Sequence, residues 1–301
     1  MGNGEFRMKN PVMPAAATFG NLVEYKEIVD LERLGAMLPN SLSVRQGSPS
    51  KARKFHADDR GIISSFSLNN ITVREFVQEL LPELPFEATP VVVDLKGYDK
   101  EEMWQAAEEA AAAYGVAAIE VNLNCPYGHP GAKPYWKDLK ELEELVRGVK
   151  QVSAGKPVFA KTATSEVPLG EVIHACADGG ADAFVSFNGL SGGCGIDIRN
   201  RCFQCGGGGM GGYSGPGVKP YALGRTVNAV KCRRLPVIGA GGITCASDIL
   251  EFIMAGAYAV QVGSANLKRP DAMFRMLEDL ECLMEELGIE NFDEIRGVVL
   301  R

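Results

Sequence analysis

The stretch PVIGAGGITCASDILEFIMAGAYAVQVGSA, residues 236–265, decides the fold. It reads as an apolar pulse (236–241), a Gly-rich break, GAGGIT (239–244), and a helix over 246–255. A second pulse, AVQVGS (259–264), and a second break, GSANL (263–267), follow. Short apolar runs bounded by Gly are buried strands, and strand–helix–strand units of this length join parallel strands through a crossover helix. Working outward, the same rhythm recurs at PVMPAA (11–16), AMLP (36–39), PVVVDL (90–95), AIEVNL (118–123), PVFAKT (157–162) and AFVSFN (183–188). Between the pulses, EEMWQAAEEAAAAYG (101–115) is rich in strong helix formers. From Trp136 to Val149, the residues Leu139, Leu142, Leu145, Val146 and Val149 share one helical face. Further helices fit 169–178, 218–230 and 270–287. Eight alternations over 301 residues predict a single-domain (β/α)8 TIM barrel, residues 1–301, rather than an open sheet.

The bulk properties narrow the function classes. At 46% hydrophobic and 23% charged, the chain has ample apolar surface for one core. It contains no apolar run of the length a spanning helix needs, so no membrane span is expected. The start, MGNGEFRMKNPVMP, lacks a signal-peptide apolar region, and Phe6 breaks the myristoylation pattern. A net charge of −7 without a dense basic run argues against a nucleic-acid partner. Eight cysteines without a secretory signal point to a reducing, cytoplasmic setting with free thiols.

In a barrel of this type function sits at the carboxyl ends of the strands, so each break after a pulse is a site candidate. The two late Gly-rich breaks stand where such barrels hold a phosphate on backbone N–H groups. Gly241, Gly242, Gly263 and Ser264 are the candidates, with Ser214 and Gly215 of GYSGPGVKP (212–220) beside them. Tight turns are the competing reading. Lys161 ends the fifth pulse and faces the catalytic end. Asn122 and Asn188 end the fourth and sixth, and their amides suit the edge of a heterocycle that carries donors and acceptors. Cys125, in VNLNCPYG, lies just beyond the fourth strand. By spacing alone it is a nucleophile, a general acid or base, or inert, and no His/Asp partner is legible beside it.

Together NPVMPAAATFG, VNLNCPYG, VFAKT, GGYSGPGVKPYAL and the opening stretch resemble the dihydroorotate dehydrogenase family, in its soluble class 1 form, over nearly the whole chain. The resemblance implies a (β/α)8 barrel with FMN at its mouth. It makes Cys125 the base that takes a proton from C5 of dihydroorotate as hydride leaves C6. It places Lys161 beside the flavin pyrimidine ring, where positive charge stabilises the reduced cofactor. Asn122 and Asn188 match asparagines that contact substrate or flavin. Gly215, Gly241, Gly242, Gly263 and Ser264 match the phosphate loops, and Ala16 and Ala17 stand at cofactor-contacting positions after the first strand, where the family's Ala-Ser-Gly reads Ala15-Ala16-Ala17. It further implies a small-molecule substrate and an electron acceptor, either soluble or a separate electron-transfer subunit. Barrels of this type often dimerise, so a homodimer is expected.

The departures from the family cluster on the substrate side. Asn40 stands where the family has a lysine, Ser64 where it has an asparagine, and Tyr127 where asparagine follows the Cys-Pro pair. The first two positions bind the orotate carboxylate and neighbouring ring atoms in the family. Arg45, Lys51 and Arg53 are candidate replacement cations. Dihydroorotate therefore stands beside a second substrate class, a reduced ring without the carboxylate, such as dihydrouracil, or an activated alkene. A flavin enzyme acting on RNA needs a basic surface and an added helical domain. A non-flavin lyase or isomerase on a phosphate-binding barrel, or a binding protein that kept FMN, completes the alternatives. The insert GGCGIDIRNRCFQCGGGGMGG (192–212) reads as a flap over the flavin, within a span of about 190–213. A metal site or a redox thiol pair among Cys194, Cys202 and Cys205 are the lesser readings.

Overall fold

The computed structural model describes residues 6–46, 55–64, 71–124, 134–162, 166–205 and 210–301. Its centre is a sheet of seven strands: β1 (Val12–Pro14), β2 (Val91–Leu95), β3 (Val116–Asn122), β4 (Val158–Lys161), β5 (Ala183–Val185), β6 (Val237–Ala240) and β7 (Ala259–Val262). Every pairing is parallel, in the spatial order β1-β7-β6-β5-β4-β3-β2. Neighbours in space are thus neighbours in sequence, apart from the β1–β7 pair, which brings the first strand beside the last. All five residues of β2 are buried, as are all four of β4, β6 and β7. Burial on both faces is why these strands read as unbroken apolar runs.

The crossover helices are α1 (Lys100–Ala111), α2 (Leu139–Val152), α3 (Leu169–Asp178), α4 (Lys219–Lys231) and α5 (Ala246–Met254), and a further helix, α6 (Ala272–Leu287), follows the last strand. Of the predicted stripe on α2, Leu142, Leu145, Val146 and Val149 are buried and Leu139, in the first turn, is half-buried. The helix starts at Leu139 rather than Trp136 because Asp138 caps it, its side chain accepting from the amides of Lys140 and Glu141 at 3.0 and 3.2 Å. Trp136 sits before the cap in a short 3-10 turn. On α1, alanines 106, 107 and 110 are buried, which lets that helix lie close on the sheet. Among the described residues no helix is long and apolar enough to cross a membrane.

The predicted strand AMLP is a correction. Residues 36–39 form no strand, only isolated parallel bridges, Met37 with Val91 and, further on, Leu42 with Leu95. Pro39 has no N–H to give a ladder. Asn40 then turns the chain aside, its amide donating to Gly20 O at 2.8 Å. The backbone still bonds to both edge strands: Gly35 N to Val12 O at 2.9 Å, Met37 N to Pro90 O and Val92 N to Met37 O at 2.8 Å.

A second, antiparallel sheet has the order Phe55–Ala57, Ile62–Ser64, Met210–Ser214, Leu190–Cys194. A two-stranded ribbon of Ile196–Asp197 with Cys202–Phe203 follows the last of these strands in sequence. The span read as a flap therefore contains strands, and its glycines allow close strand approach. A Cβ on Gly211 would lie 2.4 Å from Ser64 O. Gly206–Gly209 lie outside the described residues.

Candidate functional site

Three strands carry a polar side chain in the middle of an apolar run: Asp94 on β2, Glu120 on β3 and Gln261 on β7, all essentially unexposed. A fourth, Lys161, ends β4 and is 2% exposed. These side chains meet. Lys161 Nζ lies 2.9 Å from Glu120 Oε1 and 2.7 Å from Gln261 Oε1, while Gln261 Nε2 donates to Glu120 Oε2. Cation, carboxylate and amide close a triangle in which each buried polar group has a partner, as burial demands. Asp94 stands directly opposite Glu120 in the strand register. Burial, then the neighbouring Glu120 charge, push the Asp94 carboxyl up to about 8, against the pull of Lys161.

Toward the carboxyl ends of the strands an amide pair follows. Asn122 Nδ2 donates to Asp94 Oδ1 at 3.5 Å, and Asn122 Oδ1 accepts from Asn188 Nδ2 at 3.3 Å and from the Asn124 amide at 3.2 Å. Asn188 lies just beyond β5 and is exposed, so the pair opens to solvent on that side. The sheet thus delivers a graded site, ionic within and amide-lined at its mouth. Such a surface can hold a planar ring that carries both donors and acceptors.

The Gly-rich breaks surround this edge. Gly241 and Gly242 follow β6 with φ of +105° and +76°. A Cβ would lie 2.4 Å from Phe187 at the first and 2.6 Å from Lys219 N at the second. Both positions require glycine by backbone and by space. Lys219 Nζ in turn reaches Asp248 Oδ1 at 2.6 Å and Glu251 Oε1 at 2.9 Å. Asp248 Oδ2 accepts from the amides of Thr244 and Cys245 at 2.7 and 3.2 Å, capping α5 from within. Burial works against this carboxylate, but Lys219 and the Thr244 amide hold it below the usual aspartate range. Gly215, at φ +131°, lies against Gly61 and leads through a 3-10 turn into Lys219. Ser214 pairs with Ile62. Gly263 opens a short helix, Ser264–Lys268, and faces the loop after β1: Ala15 N donates to Val262 O at 2.8 Å, and Asn266 Nδ2 reaches Thr18 Oγ1 at 3.5 Å. Ala16 and Ala17 are in that loop, Ala17 with φ +65°.

Of the sequence-predicted residues, the structure therefore joins Lys161, Asn122 and Asn188 in one chain of contacts. It brings the loop that holds Ala16 and Ala17 to Gly263 through Ala15 and Thr18, and sets Gly215 in the turn leading to Lys219, which backs Gly242. Cys125 and Tyr127 lie outside the described residues, as do Lys51 and Arg53. Asn40 is held by its backbone to Gly20, and the Ser64 hydroxyl donates to Gly212 O at 3.4 Å. Neither hydrogen-bonds to the Asn122–Asn188 pair among the described residues. Arg45 is committed to Glu102. The seven described cysteines are free thiols, and no group of three or more His, Cys, Asp or Glu among the described residues is placed to hold a metal. Asp94, Glu120 and Gln261 were missed by sequence reasoning, although each interrupts an apolar strand. A surface groove lined by Arg233, Val237, Tyr258 and Arg296 opens at the amino end of β6, the wrong end of the sheet for this chemistry.

The comparisons with known proteins agree with one another. A protein-family model described as "Dihydroorotate dehydrogenase" matches residues 4–284. "Dihydroorotate dehydrogenase B (NAD(+)), catalytic subunit" of Solidesulfovibrio magneticus is 38% identical over 292 residues, covering 96% of this chain and 94% of the relative. The protein of the same name from Maridesulfovibrio salexigens is 37% identical over 294 residues, 97% of this chain and 95% of that one. That from Geotalea uraniireducens is 36% identical over 294 residues, 98% and 95%.

Proposed function

Because the chain belongs to the dihydroorotate dehydrogenase family of pyrimidine-biosynthetic oxidoreductases, we propose that it is the catalytic subunit of an NAD-linked enzyme that oxidises dihydroorotate on FMN. The observation that carries the proposal is the buried Lys161–Glu120–Gln261 triangle beneath the Asn122–Asn188 amide pair, at the carboxyl ends of parallel strands. In this reading residues 35–42 take the place of an eighth strand between β1 and β2 and close the barrel, as their bonds to Val12, Pro90 and Val92 support.

The residues present fit FMN. Gly241 and Gly242 leave backbone bare beside the N-terminus of α4, and a Cβ on Gly263 would meet only Ala15 and Thr18 at 3.6 Å. Asp248 already occupies the amides of Thr244 and Cys245, so a phosphate draws on those of Gly241, Gly242 and Ser264. When bound, FMN supplies the hydride acceptor. Lys161, held by Glu120 and Gln261, would supply positive charge that favours the reduced cofactor. Asn122 and Asn188 would orient the rings, and Cys125 would take the proton from C5 of the substrate.

The relatives are named as catalytic subunits, which supports a separate electron-transfer subunit as partner. The two antiparallel elements offer a surface for it. Phe55, Ile196, Ile198, Phe203 and Met210 on or beside them are large apolar side chains left exposed. The free thiols support a cytoplasmic enzyme, and a homodimer is the proposed assembly of this chain.

The test is an anaerobic titration of the oxidised protein with dihydroorotate, and in parallel with dihydrouracil, followed by the visible flavin spectrum. Bleaching by dihydroorotate is expected, which requires that other groups replace the family's lysine and asparagine at Asn40 and Ser64. A flavin spectrum that only dihydrouracil bleaches moves the substrate to rings without a carboxylate. A colourless protein that takes up no FMN overturns the cofactor as well.

A further inference from the structure

Among the described hydrogen bonds and ion pairs, this polar layer sets two carboxyls against one cation. Asp94 and Glu120 are wholly buried and opposed in register, and Lys161 is bonded to Glu120 and to Gln261. Two ionised carboxylates beside one ammonium would bury a net charge, which burial penalises heavily. A single proton shared by the two carboxyls removes it. The hydrogen-bond inventory points the same way. Asp94 Oδ2 is buried without a hydrogen-bond partner among the described residues, and a carboxyl proton between Asp94 and Glu120 supplies one.

The amide pair depends on the same carboxyl. Asn122 turns its Nδ2 to Asp94, and that choice leaves Oδ1 to accept from Asn188 and from the Asn124 amide. Reversing the Asn122 amide would set its oxygen against Asp94 and its NH2 against Asn188 Nδ2, two mismatches at once.

We propose that Asp94 is a positioning residue: it shares one proton with Glu120, and in that neutral state it fixes the Asn122–Asn188 pair in the orientation that receives the bound ring. The inference rests on the reading above that this ring is FMN. The groups facing Asp94 are Ser41 from the segment before β2, Glu120 and Asn122 from β3, and Lys161 from β4, with Gln261 of β7 reaching it through Glu120. Loss of the proton adds a second negative charge to this layer, where Lys161 is already bonded to Glu120 and Gln261. With the carboxyl pushed up to about 8, that loss falls within an accessible pH range.

The experiment measures FMN affinity of the apoprotein by flavin fluorescence at about pH 6.5 and about pH 9, in wild type, Asp94→Asn and Asp94→Leu. If only the neutral acid holds the site competent, wild-type affinity falls about tenfold between the two conditions. Asp94→Asn keeps an acceptor for Asn122 and a donor toward Glu120 and cannot ionise, so its affinity stays close to the wild-type low-pH value at both. Asp94→Leu binds weakly at both. A wild-type affinity that does not change with pH, or an equal fall in Asp94→Asn, overturns the proposal. A readout that needs no flavin separates the two readings: the infrared C=O stretch of a protonated carboxyl in the apoprotein. It is expected at low pH in wild type, lost on raising the pH, and absent from Asp94→Asn. That band without FMN binding leaves the acid pair standing and sinks the cofactor reading. FMN binding without that band sinks the acid pair alone.

Discussion

Replacing Lys161 by Met removes the cation from a layer that has no exposure to water. Glu120 keeps the hydrogen bond from Gln261 Nε2 but loses the ammonium at 2.9 Å. Breaking a buried ion pair in this way costs about 3–5 kcal/mol, because the remaining charge is left uncompensated. The assay is urea unfolding of the apoprotein at pH 7, followed by Trp104 and Trp136 fluorescence. The double variant Lys161→Met/Glu120→Gln should recover most of the loss, since no charge is then stranded. A single variant that loses less than about 1 kcal/mol at pH 7 refutes the buried pair. So does a double variant no more stable than the single.

Three other outcomes follow from the same geometry. Asp94 binds its proton more tightly folded than unfolded, so the stabilisation is complete below the ordinary aspartate range and is lost as pH rises to about 8. Between about pH 6 and 7.5 wild type should lose about 2 kcal/mol that Asp94→Asn retains, and equal slopes in thermal or urea melts would contradict this. Gly242→Ala places a Cβ 2.6 Å from Lys219 N at a φ of +76° and should cost about 1–3 kcal/mol. Gly263→Ala, which meets nothing nearer than 3.6 Å, should melt within about 0.5 kcal/mol of wild type yet bind FMN more weakly. Unchanged FMN affinity would remove Gly263 from the phosphate site.

Much of the sheet was legible because parallel strands buried on both faces write themselves as apolar runs. PVVVDL and PVFAKT differ from β2 and β4 by only a residue at the ends. AMLP carries the same signature but ends in Pro39, and a run of that length gives no warning that its pairing is reduced to bridges. Asp138 hid the true start of α2, since the apolar periodicity runs back to Trp136 while the cap fixes the helix at Leu139. The strands 190–194 and 210–214 were illegible because glycines erase the alternation a half-buried strand displays. In the site, Lys161, Asn122 and Asn188 stood out as polar residues at strand ends. Asp94, Glu120 and Gln261 carried an equally physical signal, a polar group inside VVVDL, AIEV and AVQV. Such a group must find partners in the core, but a sequence does not say which strands bring them.

The antiparallel sheet has a consequence for the order of assembly. Ser64 and Gly212 are 148 residues apart, and the intervening chain contains β2 to β5 and their crossover helices. Pairing across that distance pays a long loop-closure entropy unless the parallel core has already shortened the path. The sheet is therefore the last element to zip on folding and the first to open. Protease nicking at low denaturant should appear at its hairpins while the helices of the core remain protected.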